Sequence, residues 1–560
     1  MVPDNCLRAF CSCHLTNPVP DKKTFCTFSG QITAPEYFCS MNHLPVIDLI
    51  VLVAYFASMV LMGMIVGRKN KSAAQFTTAS GKIPGWAIGI SLFGTYLSSN
   101  TFIGNPGKAF GGNWNSFVFT LTLPIAVIIA VRYLIPFFRN TGEISAYEHF
   151  EKKFGPWART YTVVCFLLTQ LARTGTIFLG VGLTLNALTG FDIRLIILVT
   201  GIVVTIYTVM GGMEAVIWTE VVQSIIKTIG AVLVLALVVA GVQGGTKEIF
   251  HVALANNKLS LGSLQPDFTR DTFWVVFLYG LLINFTNFGV DQNYVQRYHT
   301  ASSVREASKS LWLCVYMYLP SSLMFFVIGT CLFTYYHQHP AMLMQVKEQV
   351  AALRLGAGAT GEMIAAKAAT LTDADIGDKV LPHFIVNRVP PGVVGLIFSA
   401  ILSAAMGTIS SGFNSSATIY MLDIHKRYIN PGISDRQQLR ILHLATIVVG
   451  LMATGVGISI IGVSSVLDLW WKLSGIFAGG MLGLFSLSMI TRYVPPSAAL
   501  VAVITGTLVI IWLTFSQSNR FPVILRNPLH ANMTIVVGAL SIFLVGNLLE
   551  KLQRGSSPAR

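Results

Sequence analysis

Residues 45–71 read PVIDLIVLVAYFASMVLMGMIVGRKNK, an apolar run with one acid, Asp48, closed by Arg68, Lys69 and Lys71. A helix rises about 1.5 Å per residue and needs roughly 20 apolar residues to cross the hydrocarbon core. Basic residues collect at the cytoplasmic ends of such helices. The stretch reads as a membrane span that finishes in the cytoplasm, and it sets the frame for the rest of the chain.

About thirteen comparable runs follow one another, near 45–67, 84–105, 116–138, 159–187, 192–211, 219–243, 272–292, 310–336, 390–422, 440–462, 466–491, 496–516 and 529–549. Of the 560 residues, 53% are hydrophobic and only 11% charged, less than half the charge of an ordinary soluble domain at about 25%. Lipid tolerates only helices and closed barrels, and these runs have helical length. The expected fold is an all-α polytopic membrane protein.

A net charge of +14 could mean nucleic acid, but its placement says otherwise. Arg68, Lys69 and Lys71 follow the first run; Arg139, Lys152 and Lys153 follow the third; Arg297, Arg305 and Lys309 follow the seventh. Lys426, Arg427, Arg436 and Arg440 follow the ninth, and Lys551 and Arg554 the last. These loops alternate, so the positive-inside rule puts them all in the cytoplasm, with the N-terminus outside and the C-terminus inside. The partners expected are the lipid bilayer and a small molecule, with no nucleic acid and no obligate protein partner evident.

Cys6, Cys11, Cys13, Cys26 and Cys39 crowd the first forty residues, near His14 and His43. Their spacing matches no zinc pattern, and the stretch lacks the apolar core of a signal peptide. Residues 1–44 read as an extracellular extension, with Met41 in MNHLPVIDLIVLVAYF resembling a natural start, and 45–560 as one transporter domain. Residues 244–271 and 337–389 are expected outside, the second holding an Ala-rich amphipathic stretch suited to an external helix and lid.

Polar residues inside the runs carry the chemistry, because unsatisfied polar groups are costly in lipid. GTISSGFNSSATIYMLDI (407–424) sets Thr408, Ser410, Ser411, Asn414, Ser415, Ser416 and Thr418 within a few turns. Uncharged oxygens like these serve either a weakly held cation or close helix packing. SLFGTYLSSNTFIG (91–104) would offer carbonyl oxygens if locally unwound, beside Ser98, Ser99, Asn100 and Thr101. Breaks are visible at GNPGKAFGGN (104–113), after the second run, and at Gly289, late in the seventh. Breaks in corresponding helices point to a binding site near the midplane. Glu220 in AVIWTEVVQ reads either as an ion ligand or as an acid reaching the cytosol. Arg173 in QLARTG needs a counter-ion: a distant acid, or an anionic ligand whose carboxylate suits its planar fork. Asp468 and Lys472, four apart, can satisfy each other.

The ordered motifs GRKNKSAAQFTTASGKIPGWAIGISL, YTVMGGMEAVIWTEVVQ, GVDQNYVQRYHTASSVREASKS, AAMGTISSGFNSSATIYMLDIHKRY and SGIFAGGMLGLF resemble the sodium/solute symporter family, from about Asp48 to the last run. The resemblance implies a LeuT-type five-plus-five inverted repeat, with repeat one near 84–245 and repeat two near 272–492. It implies Na+ as coupling ion, held at a main site by backbone at Gly94, Leu97 and Ala404 with Gly407 and Thr408. The family usually has a hydroxyl residue where Gly407 stands, so one side-chain oxygen is missing. A second sodium site would use Ser410 and Ser411 with an acid, here Glu220 in place of the aspartate. For substrate, Gln170 and Arg173 in QLARTG resemble the sialic-acid branch, with Ser98 and Thr101 completing a carboxylate pocket. Asn284, Asn287 and Phe288 fall where sugar-transporting relatives place an asparagine and an aromatic gate.

The function these features imply is sodium-coupled symport of a small organic anion by alternating access. A neutral sugar or polyol is the alternative, with Arg173 structurally paired. A sensor or channel on the same scaffold is the second alternative, although the short tail after Leu549 offers no output domain. No nucleophile–base pairing emerges, so the chain does not read as an enzyme.

Overall fold

The computed structural model describes residues 45–555 apart from 69–71, 357, 464, 492 and 518–520. The cysteine-rich segment 1–44 and Met41 lie outside the described residues. Among these residues the chain is helical throughout, with no strand beyond an isolated bridge between Ile83 and Ala301.

The helices run in chain order α1 Val46–Gly67, α2 Gly85–Tyr96, α3 Ser99–Gly111, α4 Trp114–Thr141, α5 Glu148–Phe154, α6 Pro156–Thr189 and α7 Ile193–Gly241. After a long loop come α8 Phe273–Gly289, α9 Gln292–Thr300, α10 Val304–Gln338, α11 Val393–Ile419, α12 Asp435–Ser459, α13 Val466–Ile490, α14 Pro496–Phe515 and α15 Met533–Gly555. Between α10 and α11 the Ala-rich loop forms helices Pro340–Leu355, Gly361–Ala369 and Asp373–Arg388. The last of these lies on α3 with backbones almost touching: a Cβ on Gly377 would meet Gly107 O at 2.5 Å.

Among the described residues ten helices are long and apolar enough to span a membrane, or eleven if the bent pair α8–α9 is one span, against the thirteen runs read from the sequence. The differences have physical causes. The run at 84–105 is broken: Leu97 (φ −86°, ψ 82°) and Ser98 (φ −88°, ψ 173°) leave helical geometry between α2 and α3. The runs at 192–211 and 219–243 are the two helical arms of the 49-residue stretch α7, joined across a non-helical break at Gly212. A straight helix of that length would extend roughly 74 Å, more than twice the hydrocarbon core. Gly212, at φ +57°, turns it back, a conformation open to glycine because no Cβ clashes. Both arms then reach the same level of α11. Tyr207 from the first arm donates its hydroxyl to Met406 O at 2.8 Å, while Glu220 and Gln223 from the second approach Gly407.

α11 is buried along nearly its whole length. Its small residues let α7 approach closely: a Cβ on Gly230 would meet the Ala400 Cβ at 2.3 Å. Lipid tails are as apolar as leucine, so such helices associate through close packing and interhelical hydrogen bonds. The second interrupted helix, α8–α9, bends by 45° after Gly289. Asp291 caps α9 by accepting from Asn293 N at 2.8 Å. α2–α3 and α8–α9 thus bring two helix breaks into the middle of the bundle.

Candidate functional site

The last four carbonyls of a helix lack intrahelical partners, and at the end of α2 side chains from other helices take them. Gly94 O accepts from Lys227 Nζ at 2.8 Å, and Leu97 O from the same atom at 3.3 Å. Thr95 O accepts from Arg173 Nη2 at 3.1 Å and from Thr408 Oγ1 at 3.2 Å. Tyr96 O accepts from Thr101 Oγ1 at 3.5 Å.

Of the expected main-site residues, Gly94 and Leu97 share Lys227, while Thr408 bonds α2 through Thr95 O and Gly407 faces Gln223 and Glu220. Thr408 Oγ1 also donates to Ala404 O at 3.3 Å. Glycine at 407 has a steric reason: a Cβ there would lie 2.8 Å from Gln223 Oε1 and 3.2 Å from Glu220 Cγ. That amide oxygen is buried without a hydrogen-bond partner, beside the position where the hydroxyl is missing. The carbonyls and hydroxyl suit a sodium ion; the Lys227 ammonium on two of those carbonyls does not.

Of the expected second-site residues, Glu220 and Ser411 meet and Ser410 does not. Ser411 Oγ donates to Glu220 Oε1 at 2.7 Å, whereas Ser410 Oγ donates to Gly407 O at 3.0 Å. Glu220 does not reach the cytosol: it is fully buried and paired with Arg297 Nη2 at 2.8 Å. Ser91, Thr95 and Ser411 bridge the pair, each donating to the carboxylate and accepting from the guanidinium. Arg297 is thus no topology charge in a loop but a fully buried cation. Further along α11, Ser415 donates to Asn293 Oδ1 at 2.6 Å, and Gln296 Nε2 bridges Asn414 and Thr418.

Beyond the α2–α3 break opens a cavity lined by Ser98, Asn100, Thr101, Arg173, Asn287 and aromatics including Tyr294 and Trp470. Of the expected substrate residues, Ser98, Thr101, Arg173 and Asn287 face it. Gln170, Asn284 and Phe288 stand behind it. Gln170 Nε2 donates to Asp291 Oδ2 at 3.4 Å, and Asn284 accepts from Tyr96 Oη and donates to Thr122. The Phe288 ring packs against Tyr96 and Tyr294. Arg173 has a distant acid beside it and also lines the cavity. Asp291 Oδ2 lies 3.7 Å from Nη1, the Trp470 ring lies 5.7 Å from the guanidinium, and the cavity is open to it.

Sequence reasoning missed Lys227, Arg297, Asp291, Gln223 and Trp470 as site residues. Lys227 had a readable signal, a lysine inside a run and seven residues beyond Glu220. Asp468 is a correction: it pairs with Lys108 Nζ at 2.7 Å, joining α3 to α13, rather than with Lys472.

Two interrupted helices facing a buried polar cavity define a carrier of the LeuT type, with its five-plus-five inverted repeat. The sodium:solute symporter family matches residues 76–506, and the chain belongs to that family. The sodium/sialic acid symporter of Proteus mirabilis is 30% identical over 510 residues, covering 90% of this chain and 95% of that one. The sodium/sialic acid symporter of Aliivibrio fischeri is 28% identical, covering 90% and 94%. A solved substrate-bound, outward-open Na+-coupled sialic acid symporter superposes with a TM-score of 0.79 at 29% identity, covering 92% of this chain and 99% of that one.

Proposed function

We propose that the chain is a sodium-coupled symporter that imports a small organic carboxylate such as sialic acid by alternating access. It sits in the plasma membrane with its N-terminus outside and C-terminus in the cytoplasm. Residues 84–245 and 272–492 form the two repeats that move against each other around the cavity.

The observation that carries the substrate class is the loose pairing of Arg173. Its guanidinium offers five donors in a fork that matches a carboxylate. One goes to Thr95 O, and Asp291 at 3.7 Å is beyond hydrogen-bond distance. Donor capacity therefore remains toward the cavity. Ser98, Thr101 and the amino end of α3 border the same space, and a helix amino end favours negative charge. The main sodium position is the α2–α11 junction at Gly94, Leu97, Ala404, Gly407 and Thr408. Glu220, Ser410 and Ser411 would hold a second ion only if Arg297 moved aside, which favours a single coupling sodium.

The ion number limits accumulation. Each sodium gains roughly 2.3 kcal/mol per 100 mV, and a tenfold concentration gradient adds about 1.4 kcal/mol. A monoanion moving inward returns roughly 2.3 kcal/mol of that, so one sodium supports about tenfold accumulation.

The test is thermal stabilisation of the purified chain by sialic acids, monocarboxylates, amino acids and sugars, with and without sodium. A sodium-dependent shift with a carboxylate, lost in Arg173→Ala, supports the proposal. A shift with neutral sugars alone would replace the carboxylate by a sugar or polyol.

A further inference from the structure

The second arm of α7 carries Lys227 fully buried, with its ammonium on Gly94 O and Leu97 O at 2.8 and 3.3 Å. These are two of the carbonyls a sodium ion would take at the α2–α11 junction. No ion pair among the described residues includes Lys227. Glu220, two turns back on the same helix, gives both its oxygens to Arg297 and the bridging hydroxyls. The ammonium also lies 6.0 Å from the Phe93 ring and within the field of the Glu220 carboxylate. Its setting is therefore a pair of backbone oxygens, with a side chain's own charge as the cation.

We propose that the Lys227 ammonium is a tethered occupant of the main cation site, which sodium must displace in order to bind there. The proposal rests on the sodium-coupled reading above and specifies how that site is regulated. Ammonium and sodium ask for the same carbonyl lone pairs, and a carbonyl turned to one is not turned to the other. They also exclude each other by charge. Two unit charges about 4 Å apart at an effective dielectric near 20 repel enough to lower joint occupancy about a thousandfold. A group on a short tether competes at an effective concentration on the order of millimolar or above, so free sodium enters only when abundant. The four-carbon stem of lysine lets the head group withdraw without moving the helix. Arg297, locked by five hydrogen bonds at Glu220, has no such freedom.

The experiment is a sodium titration of the full chain, read as thermal stabilisation, with choline chloride holding ionic strength constant. Lys227→Met and Lys227→Gln are run beside the wild type; the glutamine keeps an amide donor for the carbonyls if the methionine variant does not fold. The expected result is a half-maximal sodium concentration at least tenfold lower in the variants. One sodium response shared by the wild type and both variants would overturn the proposal. A wild type indifferent to sodium with responsive variants supports the Lys227 assignment and overturns sodium coupling instead. A carboxylate panel at fixed sodium reads the substrate assignment separately, because Arg173 and Lys227 hold different carbonyls of α2.

Discussion

Arg297 Nη2 lies 2.8 Å from Glu220 Oε2, and neither side chain reaches solvent. The pair joins α9 to α7 through the end of α2, so both interrupted helices are tied to the same carboxylate. Removing one partner leaves an uncompensated buried charge, which typically costs about 3–5 kcal/mol. Glu220→Gln and Arg297→Met are each expected to lower the thermal midpoint sharply. The double variant should recover part of the loss, since no lone charge remains. With Arg297 supplying the positive charge, Glu220→Gln should leave the sodium Hill coefficient unchanged in any protein that still folds. A drop from two to one would return a second sodium to Glu220.

Asp291 and Arg173 set the second prediction. The carboxylate shares the guanidinium at 3.7 Å and caps α9. Asp291→Asn keeps a capping oxygen and removes the competing charge. Carboxylate affinity should rise severalfold, while Arg173→Ala abolishes it and Arg173→Lys, lacking the planar fork, falls between. Isothermal titration with a binding carboxylate checks the order. Weaker binding in Asp291→Asn would mean that the aspartate positions Arg173 rather than competing for it.

His383, in the helix Asp373–Arg388 outside the spans, is held at about 4 by burial, below the usual imidazole range. Its Nδ1 lies 2.7 Å from Tyr336 Oη. The unfolded imidazole binds its proton near 6.5, so between about 6.5 and 4 the unfolded chain holds more protons than the folded one. Stability is then intact above about 6.5 and is lost progressively as pH falls toward 4, by up to about 3 kcal/mol. Replacing His383 with glutamine should flatten this part of the melting-temperature profile. An unchanged acid slope would assign it to other groups.

Much of this architecture is legible in the sequence, and what is not has a common cause. Apolar length shows the spans, and Gly289 announces the bend of α8–α9. GNPGKAFGGN (104–113), in contrast, is largely helical, and the second run breaks earlier, at Leu97 and Ser98. The hydroxyls of 407–424 mark the helix that lies deepest. The partners were hidden: Arg297 for Glu220, Asp291 for Arg173, Lys108 for Asp468 and Lys227 for the α2 carbonyls. Each joins helices far apart in the chain, and periodicity records only which face a residue occupies. Arg297 was also disguised by its position just beyond an apolar run, where basic residues normally mark topology. The bend at Gly289 carries it into the core instead.

Gly407 tests whether the crowded junction or the missing hydroxyl decides the residue there. A Cβ would lie 2.8 Å from Gln223 Oε1 and 3.2 Å from Glu220 Cγ, and overpacking of this kind costs about 1–3 kcal/mol. Gly407→Ala should therefore lower the thermal midpoint, and adding Gln223→Ala should restore most of it by clearing the amide. Gly407→Ser with Gln223→Ala goes further, placing a hydroxyl where the family resemblance implies one. That double variant should respond to less sodium than Gly407→Ala with Gln223→Ala, in the same choline-balanced titration. Equal responses would show that the oxygen at this position does not ligate, and that glycine stands there for packing against α7 alone.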